Sequence, residues 1–392
     1  MMRRPARRRT VVSWFEHDAR RIGSLETFAY ELSLQLKSQG WSSVLCFEEA
    51  PPDPVREYLS AAGARLVAHH LGGNRAGVWR ILRQVLAAER PMAFHTHFIS
   101  PLDRAHWESW SRGVPIIFNT DHSSRPAGWV PRPALLPKRA LGRIFSAPLS
   151  RLVTVSEFIR GCHQTLGYVA PSKLKCIHNG VDTATLQADT QAGLQFRKEY
   201  GLRPDSFVVM QISHMIAQKG IRDLIEAARV WLPTNPKIQL CLVGDGRDLA
   251  EFRAEAQAGS WGDAIVFTGL VPDLRAAHSA ADVVVQVSRW QEAFGAVIAE
   301  AMSCARPVIA SRAGGIPEIV VPGETGLLVN PGEPGEIAAA VLQLAADEGL
   351  RRRMGREGRA RACRLFDIRT NVAQLVSLYL ELAKRGNYAL ET

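Results

Sequence analysis

Val283-Val-Val-Gln-Val287-Ser288-Arg-Trp-Gln-Glu292-Ala-Phe294-Gly295-Ala-Val-Ile-Ala-Glu300-Ala-Met302 is the stretch that decides the fold. Its apolar opening reads as a buried strand, and the run from Ala296 reads as a helix. Strand, turn and helix in succession is how an α/β protein presents a ligand, because strand ends and helix starts converge there. A helix starting near Gly295 would offer its unpaired N–H groups to an anion such as a diphosphate. At 1.5 Å per residue Glu300 falls about 7 Å further along, where a ribose attached to that diphosphate would lie. Glu292, in the turn, faces the group on the other side of the phosphates. A nucleotide-sugar has that shape.

Working outward, the same alternation recurs on both sides. Strands are expected at Thr10–Phe15, Ser43–Phe47, Ala93–His95, Val114–Phe118 and Arg151–Val155, with helices around Leu25–Leu36 and Val78–Glu89. A polar, strand-poor segment at about Asp182–Pro204 reads as a junction. A second series follows: Phe207–Ile212, a helix from Ile221, then Ile238–Val243, Ala264–Phe267, Val283–Val287 and Pro307–Ala310. A last helix runs near Thr370–Lys384. This rhythm predicts two doubly wound, Rossmann-like α/β domains facing across a cleft. Their expected limits are 1–185, carrying a basic tail over 1–9, and 186–369; residues 370–392 are expected to pack back on the first domain.

Composition narrows the class. The 392 residues are 46% hydrophobic, enough for two such domains. No run approaches the apolar length of a membrane-spanning helix, and the arginine-rich start lacks the apolar core of a signal peptide. A cytoplasmic location is therefore expected. Six cysteines without paired spacing suit a reduced compartment, and Cys162-His163 with Cys176 and His178 match no zinc pattern. The excess of 48 basic over 38 acidic residues favours anionic partners, and five arginines in the first nine residues supply half of it. No nucleic-acid-binding module accompanies the charge. No G-x-G-x-x-G follows the first strand, which argues against a dinucleotide oxidoreductase.

Several positions carry candidate chemistry. Lys219, between a strand and a helix, is placed to neutralise phosphate oxygens. Gly23 and Ser24 mark the first strand-to-helix turn, with Ser24 as the expected helix cap. His122 follows a strand and is suited to bonding sugar hydroxyls or relaying a proton. His95 and His97 are read as pointing opposite ways, so joint metal binding is not expected. Between Trp129 and Leu152, Lys138, Arg139, Arg143 and Arg151 interleave with Leu135, Leu136, Leu141, Ile144, Phe145 and Leu149. This basic amphipathic stretch suits an anionic membrane surface.

Taken together, the residues resemble a family-4 glycosyltransferase of the GT-B fold. Glu292 and Glu300 match that family's E-x7-E signature, with Phe294-Gly295 inside it. In family order come Gly23-Ser24-x-Glu26, Thr120-x-His122, Val155-Ser156-Glu157, His178-Asn179-Gly180-Val181-Asp182, Lys219-Gly220, Val243-Gly-Asp-Gly246 and Gly314-Gly315-x-Pro317-Glu318. The resemblance implies transfer of a sugar from a nucleotide-sugar to an acceptor with retention of configuration and without a metal or other cofactor. Glu292 would bond the donor sugar and Glu300 the ribose; Lys219 and the amides at Phe294 and Gly295 would hold the diphosphate. His122 would touch the sugar near the acceptor. The family's usual arginine five residues before the lysine is His214 here, which cannot make a forked contact. The implied biology is assembly of an envelope polysaccharide, glycolipid or glycoside, on a sugar or lipid-linked acceptor at the inner face of the membrane. A nucleotide-sugar epimerase or hydrolase on the same fold is the alternative.

Overall fold

The computed structural model describes residues 7–69, 75–259, 261–386 and 388, and the backbone alone at 75 and 76. Residues 1–6 of the basic tail lie outside that description. Contacts divide the chain into two compact units. The first comprises Met1–Ser123, Val130–Gly180 and Ile368–Thr392; the second comprises Ser124–Trp129 and Val181–Asp367. The chain thus changes unit between 180 and 181, a little before the limit read from the sequence. The short piece 124–129 belongs with the second unit.

The first unit is built on seven parallel strands. They are β1 (Arg8–Phe15), β2 (Ser42–Phe47), β3 (Ala64–Ala68), β4 (Pro91–His97), β5 (Ile116–Asp121), β6 (Arg151–Thr154) and β7 (Leu174–Cys176), in the spatial order β3-β2-β1-β4-β5-β6-β7. The second has six: β8 (Phe207–Ile212), β9 (Ile238–Val243), β10 (Ile265–Gly269), β11 (Val283–Gln286), β12 (Val308–Ser311) and β13 (Gly326–Val329), ordered β10-β9-β8-β11-β12-β13. Both are doubly wound α/β sheets. In each, the winding reverses between the first strand and the fourth, and ligands of such sheets bind outside the strand ends at that point.

The local causes are plain in the second unit. Strands Phe207–Ile212 and Ile238–Val243 are almost wholly buried because helices cover both faces of a parallel sheet. Helix Ile221–Trp231 sets Ile221, Leu224, Ile225 and Ala228 toward the sheet at helical spacing, all buried, with Trp231 closing the row. Each large aliphatic side chain so buried stabilises by roughly 1.5–3 kcal/mol. The segment 182–204 is not a bare junction: Asp189 caps a helix, Thr190–Glu199, by accepting from Ala192 N at 3.0 Å. In the first unit, helix Ile368–Arg385 packs Val372, Leu375, Val376 and Tyr379 against Leu32 and Leu36 of helix Ser24–Ser38. Asn371 fastens its start by donating from Nδ2 to His178 O at 3.0 Å.

Candidate functional site

Lys219 and Glu292 meet at the carboxyl ends of β8 and β11, the reversal point of the second sheet. Lys219 Nζ lies 2.7 Å from Glu292 Oε1. Ser288 Oγ donates to the same oxygen at 2.5 Å. Glu292 is only 6% exposed, so its charge is sustained by these partners rather than by water. The other oxygen, Oε2, takes a longer contact of 3.4 Å from Ser124 Oγ, and that hydroxyl accepts from Ala293 N at 3.1 Å. Arg125 and Gln291 exchange backbone hydrogen bonds of 2.8 and 2.9 Å, which anchors residues 124–129 to the turn. A carboxylate oxygen has room for two hydrogen bonds, so Oε2 is the one with capacity for a further hydroxyl donor.

Glycines make this closeness possible. Gly220 ends the lysine turn at φ +70°, and a Cβ there would fall 2.0 Å from Val287 O. Gly314, at φ +60°, comes so near the glutamate turn that its Cβ would lie 2.1 Å from Glu292 O. Its neighbour Gly315 donates its N–H to that carbonyl at 2.8 Å. The Lys219 loop is held from its other side by residues 244–248: Met215 N donates to Asp245 O at 3.0 Å, and Ala217 N to Asp248 Oδ2 at 2.8 Å.

Helix Ala296–Ser303 starts as the sequence suggested, with Gly295 as N-cap at φ 114°. In its first turn Ile298 N donates back to Gly295 O at 3.0 Å, and the helix dipole adds partial positive charge beside the Lys219–Glu292 pair. Phe294 turns inward, 3% exposed, edge-on to Phe366 at 5.6 Å. Glu300 is buried on the same helix, its Oε2 3.5 Å from Nε2 of the fully buried His278. Lys219, Glu292, Gly295 and Glu300 thus belong to one unit around one strand-to-helix turn. His214, on the loop before Lys219, is exposed.

Gly23, Ser24 and His122 lie in the first unit, at the carboxyl edge of its own sheet. Two readings are corrected here. Ser24 is not the helix cap: Gly23 holds that position in extended backbone, and the buried carboxylate of Glu26 accepts from Gly23 N at 2.9 Å. Burial raises the Glu26 pKa, its hydrogen bonds to backbone opposing the rise. His95 and His97 do not diverge. Two residues apart on an extended strand they share a face, and their rings sit 4.0 Å apart. His95 bonds Tyr379 Oη at 2.5 Å and Thr120 Oγ1 at 2.7 Å; His97 Nδ1 lies 3.2 Å from His122 Nε2. His122 stacks on Phe98 at 4.6 Å, and desolvation lowers its pKa to about 4, so the ring is neutral at pH 7. His95 and His97 are lowered in the same way. His163, considered above with cysteines, instead bonds Asp121 Oδ2 at 2.8 Å.

Ser124, Ser288, Gln291 and His278 were not singled out from the sequence. Ser288 had a signal, a hydroxyl at a strand end four residues before the glutamate. Ser124 had none, being 168 residues from its partner.

The fold is doubly wound α/β in both units, with a lysine–carboxylate pair at the reversal point of the second sheet, and comparison with known proteins gives the family. The model of glycosyl transferases group 1 matches residues 194–361, and that of glycosyltransferase family 4 matches 25–185. The chain belongs to the group 1 glycosyltransferases and has their GT-B fold. It is 28% identical over 223 residues to N-acetyl-alpha-D-glucosaminyl L-malate synthase of Bacillus anthracis, covering 57% of this chain and 58% of that protein. It is 35% identical over 207 residues to the GDP-mannose-dependent alpha-(1-6)-phosphatidylinositol monomannoside mannosyltransferase of Mycolicibacterium smegmatis, covering 51% and 54%. The matched region therefore spans little more than half the length of these two relatives. Among solved structures, Anabaena HepE in complex with UDP-glucose superposes with a TM-score of 0.77 at 19% identity, over 95% of this chain and 99% of that one.

Proposed function

We propose that this chain transfers a sugar from a nucleotide-sugar to an acceptor with retention of anomeric configuration and without a metal. The observation that supports this most is the Lys219–Glu292 pair, 2.7 Å apart beside the helix start at Gly295. Cleavage of the bond between the anomeric carbon and the phosphate oxygen leaves positive charge on the sugar and negative charge on the diphosphate. Fixed positive groups at the phosphate are therefore the main catalytic term. Lys219 and the amides at Phe294 and Gly295 supply them. Glu292, steadied by Ser288 and Ser124, takes the donor sugar's hydroxyls through Oε2, and Glu300 takes the ribose hydroxyls. Attack comes from the face the phosphate leaves, and the acceptor's proton passes to the departing phosphate oxygen, so no protein base is required. A glycosyl-enzyme trapped on Glu292 would replace this with double displacement.

The first unit takes the acceptor, with Gly23 and Ser24 at its first turn and neutral His122 as a hydrogen-bonding group near the transferred sugar. The acceptor is a sugar or a lipid-linked glycan precursor, and the setting is envelope polysaccharide, glycolipid or glycoside assembly at the cytoplasmic side of the membrane. A panel of UDP-, GDP-, ADP- and dTDP-sugars identifies the donor by thermal stabilisation, about 2.7 kcal/mol at a hundredfold excess over Kd. Two of these bases occur among the similar proteins: the mannosyltransferase relative is GDP-mannose-dependent, and the HepE structure holds UDP-glucose. Stabilisation by none of them removes the proposal. Consumption of the donor without acceptor, as fast as transfer, would make the chain a hydrolase or epimerase instead.

A further inference from the structure

Helix Leu136–Phe145 of the first unit turns its apolar side outward. An ordinary surface helix does the reverse. The side packed on the protein carries Gly142, where a Cβ would fall 2.5 Å from the Tyr168 ring. Arg143 Nε donates to Gly167 O at 2.6 Å, and Arg139 lies against Gly167 as well. With those cations held at the turn, Leu136, Leu141, Ile144 and Phe145 stand in solvent, between 43% and 79% exposed. Val130 and Leu135, just before the helix, are as open. Only this helix forms from the longer stretch read in the sequence: Leu149 is buried and Arg151 opens β6.

Two tryptophans extend the patch. Trp107 Nε1 donates to Phe145 O at 3.0 Å and meets Trp110 edge-on at 5.4 Å; Trp110 is exposed. Tryptophan with an apolar body and an N–H is the side chain of membrane interfaces. Residues 129–149 contain four basic side chains, Arg132, Lys138, Arg139 and Arg143, and no acidic one.

We propose that this face docks on an anionic lipid bilayer, with the helix lying in the headgroup layer. An apolar face on a stretch whose charged side chains are all basic is complementary to that surface. A second copy of the chain is a poorer occupant, because a two-fold contact would set the same four cations against themselves. The inference goes beyond the transfer reaction and does not rest on it.

The test is flotation of the full chain with phosphatidylcholine vesicles, with and without phosphatidylglycerol, at low and high salt. Binding is expected to the anionic vesicles at low salt and to weaken with salt. Leu141→Gln with Ile144→Gln should weaken partitioning roughly tenfold or more, with an unchanged unfolding temperature because both side chains are exposed. Arg132→Gln with Lys138→Gln, which leaves the apolar side chains alone, should cost about fivefold per charge. Failure of the wild-type chain to float with anionic vesicles overturns the proposal. So does equal binding by both variants, or concentration-dependent self-association that the apolar variant abolishes.

Discussion

Replacing Lys219 by methionine removes one cation and leaves the shape of the site nearly intact. Glu292 is 6% exposed, so it cannot recover in water what the 2.7 Å pair supplied. Breaking a fully buried pair costs about 3–5 kcal/mol. The Lys219 side chain is 24% exposed, and Ser288 keeps its bond to Oε1, so the expected loss of folding stability is smaller, roughly 1–3 kcal/mol. The effect on turnover should be larger: losing one preorganised positive group at a developing oxyanion costs about 10²–10³ in kcat. Adding Glu292→Gln separates the two roles. The stranded charge disappears, so part of the stability returns, while transfer stays low. The assay is initial-rate transfer with the donor found by thermal shift, paired with denaturant unfolding of both variants. Transfer by Lys219→Met within about threefold of wild type, alongside the full stability loss, would make the pair structural and refute the reasoning.

Glu300→Gln should raise KM for the donor roughly tenfold or more while changing kcat little, as expected when a charged bond to a bound hydroxyl is lost; an unchanged KM would place the ribose elsewhere. His214→Arg should preserve or raise transfer, because a guanidinium adds a forked contact for the diphosphate where the chain has a histidine. A large fall would argue against setting residue 214 at the phosphates. Acid sensitivity should trace in part to His106, fully buried with Nε2 2.9 Å from Thr96 Oγ1, whose pKa desolvation lowers to about 4. The unfolded chain binds that proton first, near pH 6.5, so the stability is fully present above that pH and is lost as the pH falls toward 4. The single-site effect is roughly 3 kcal/mol. His106→Gln should flatten the fall of unfolding free energy between those values; an unchanged slope would assign it to other groups.

The central strands of both sheets were legible because burial on both faces writes continuous apolar runs, as at Phe207–Ile212, Ile238–Val243 and Val283–Gln286. The strands not seen were β3, β7 and β13, which lie at or toward the sheet margins and have four or fewer inward apolar positions to betray them. Arg65 and Lys175 interrupt two of them. The Lys219, Glu292 and Gly295 turn was legible because its parts are each local to a strand end. The support around it was not. Ser124 reaches Glu292 from a distant part of the chain, and His278 reaches Glu300 from the end of another helix. The helix cap at Gly23 escaped for a subtler reason: the carboxylate that serves it stands three residues later, where a serine at the turn looks the better candidate.

Cocrystallising the chain with its preferred nucleoside diphosphate would probe the central idea without relying on turnover. The β-phosphate should rest against Lys219 Nζ and the amides at Phe294 and Gly295, with the ribose hydroxyls on the Glu300 carboxylate. Density for the diphosphate anywhere else, or a ribose turned away from Glu300, would contradict the account.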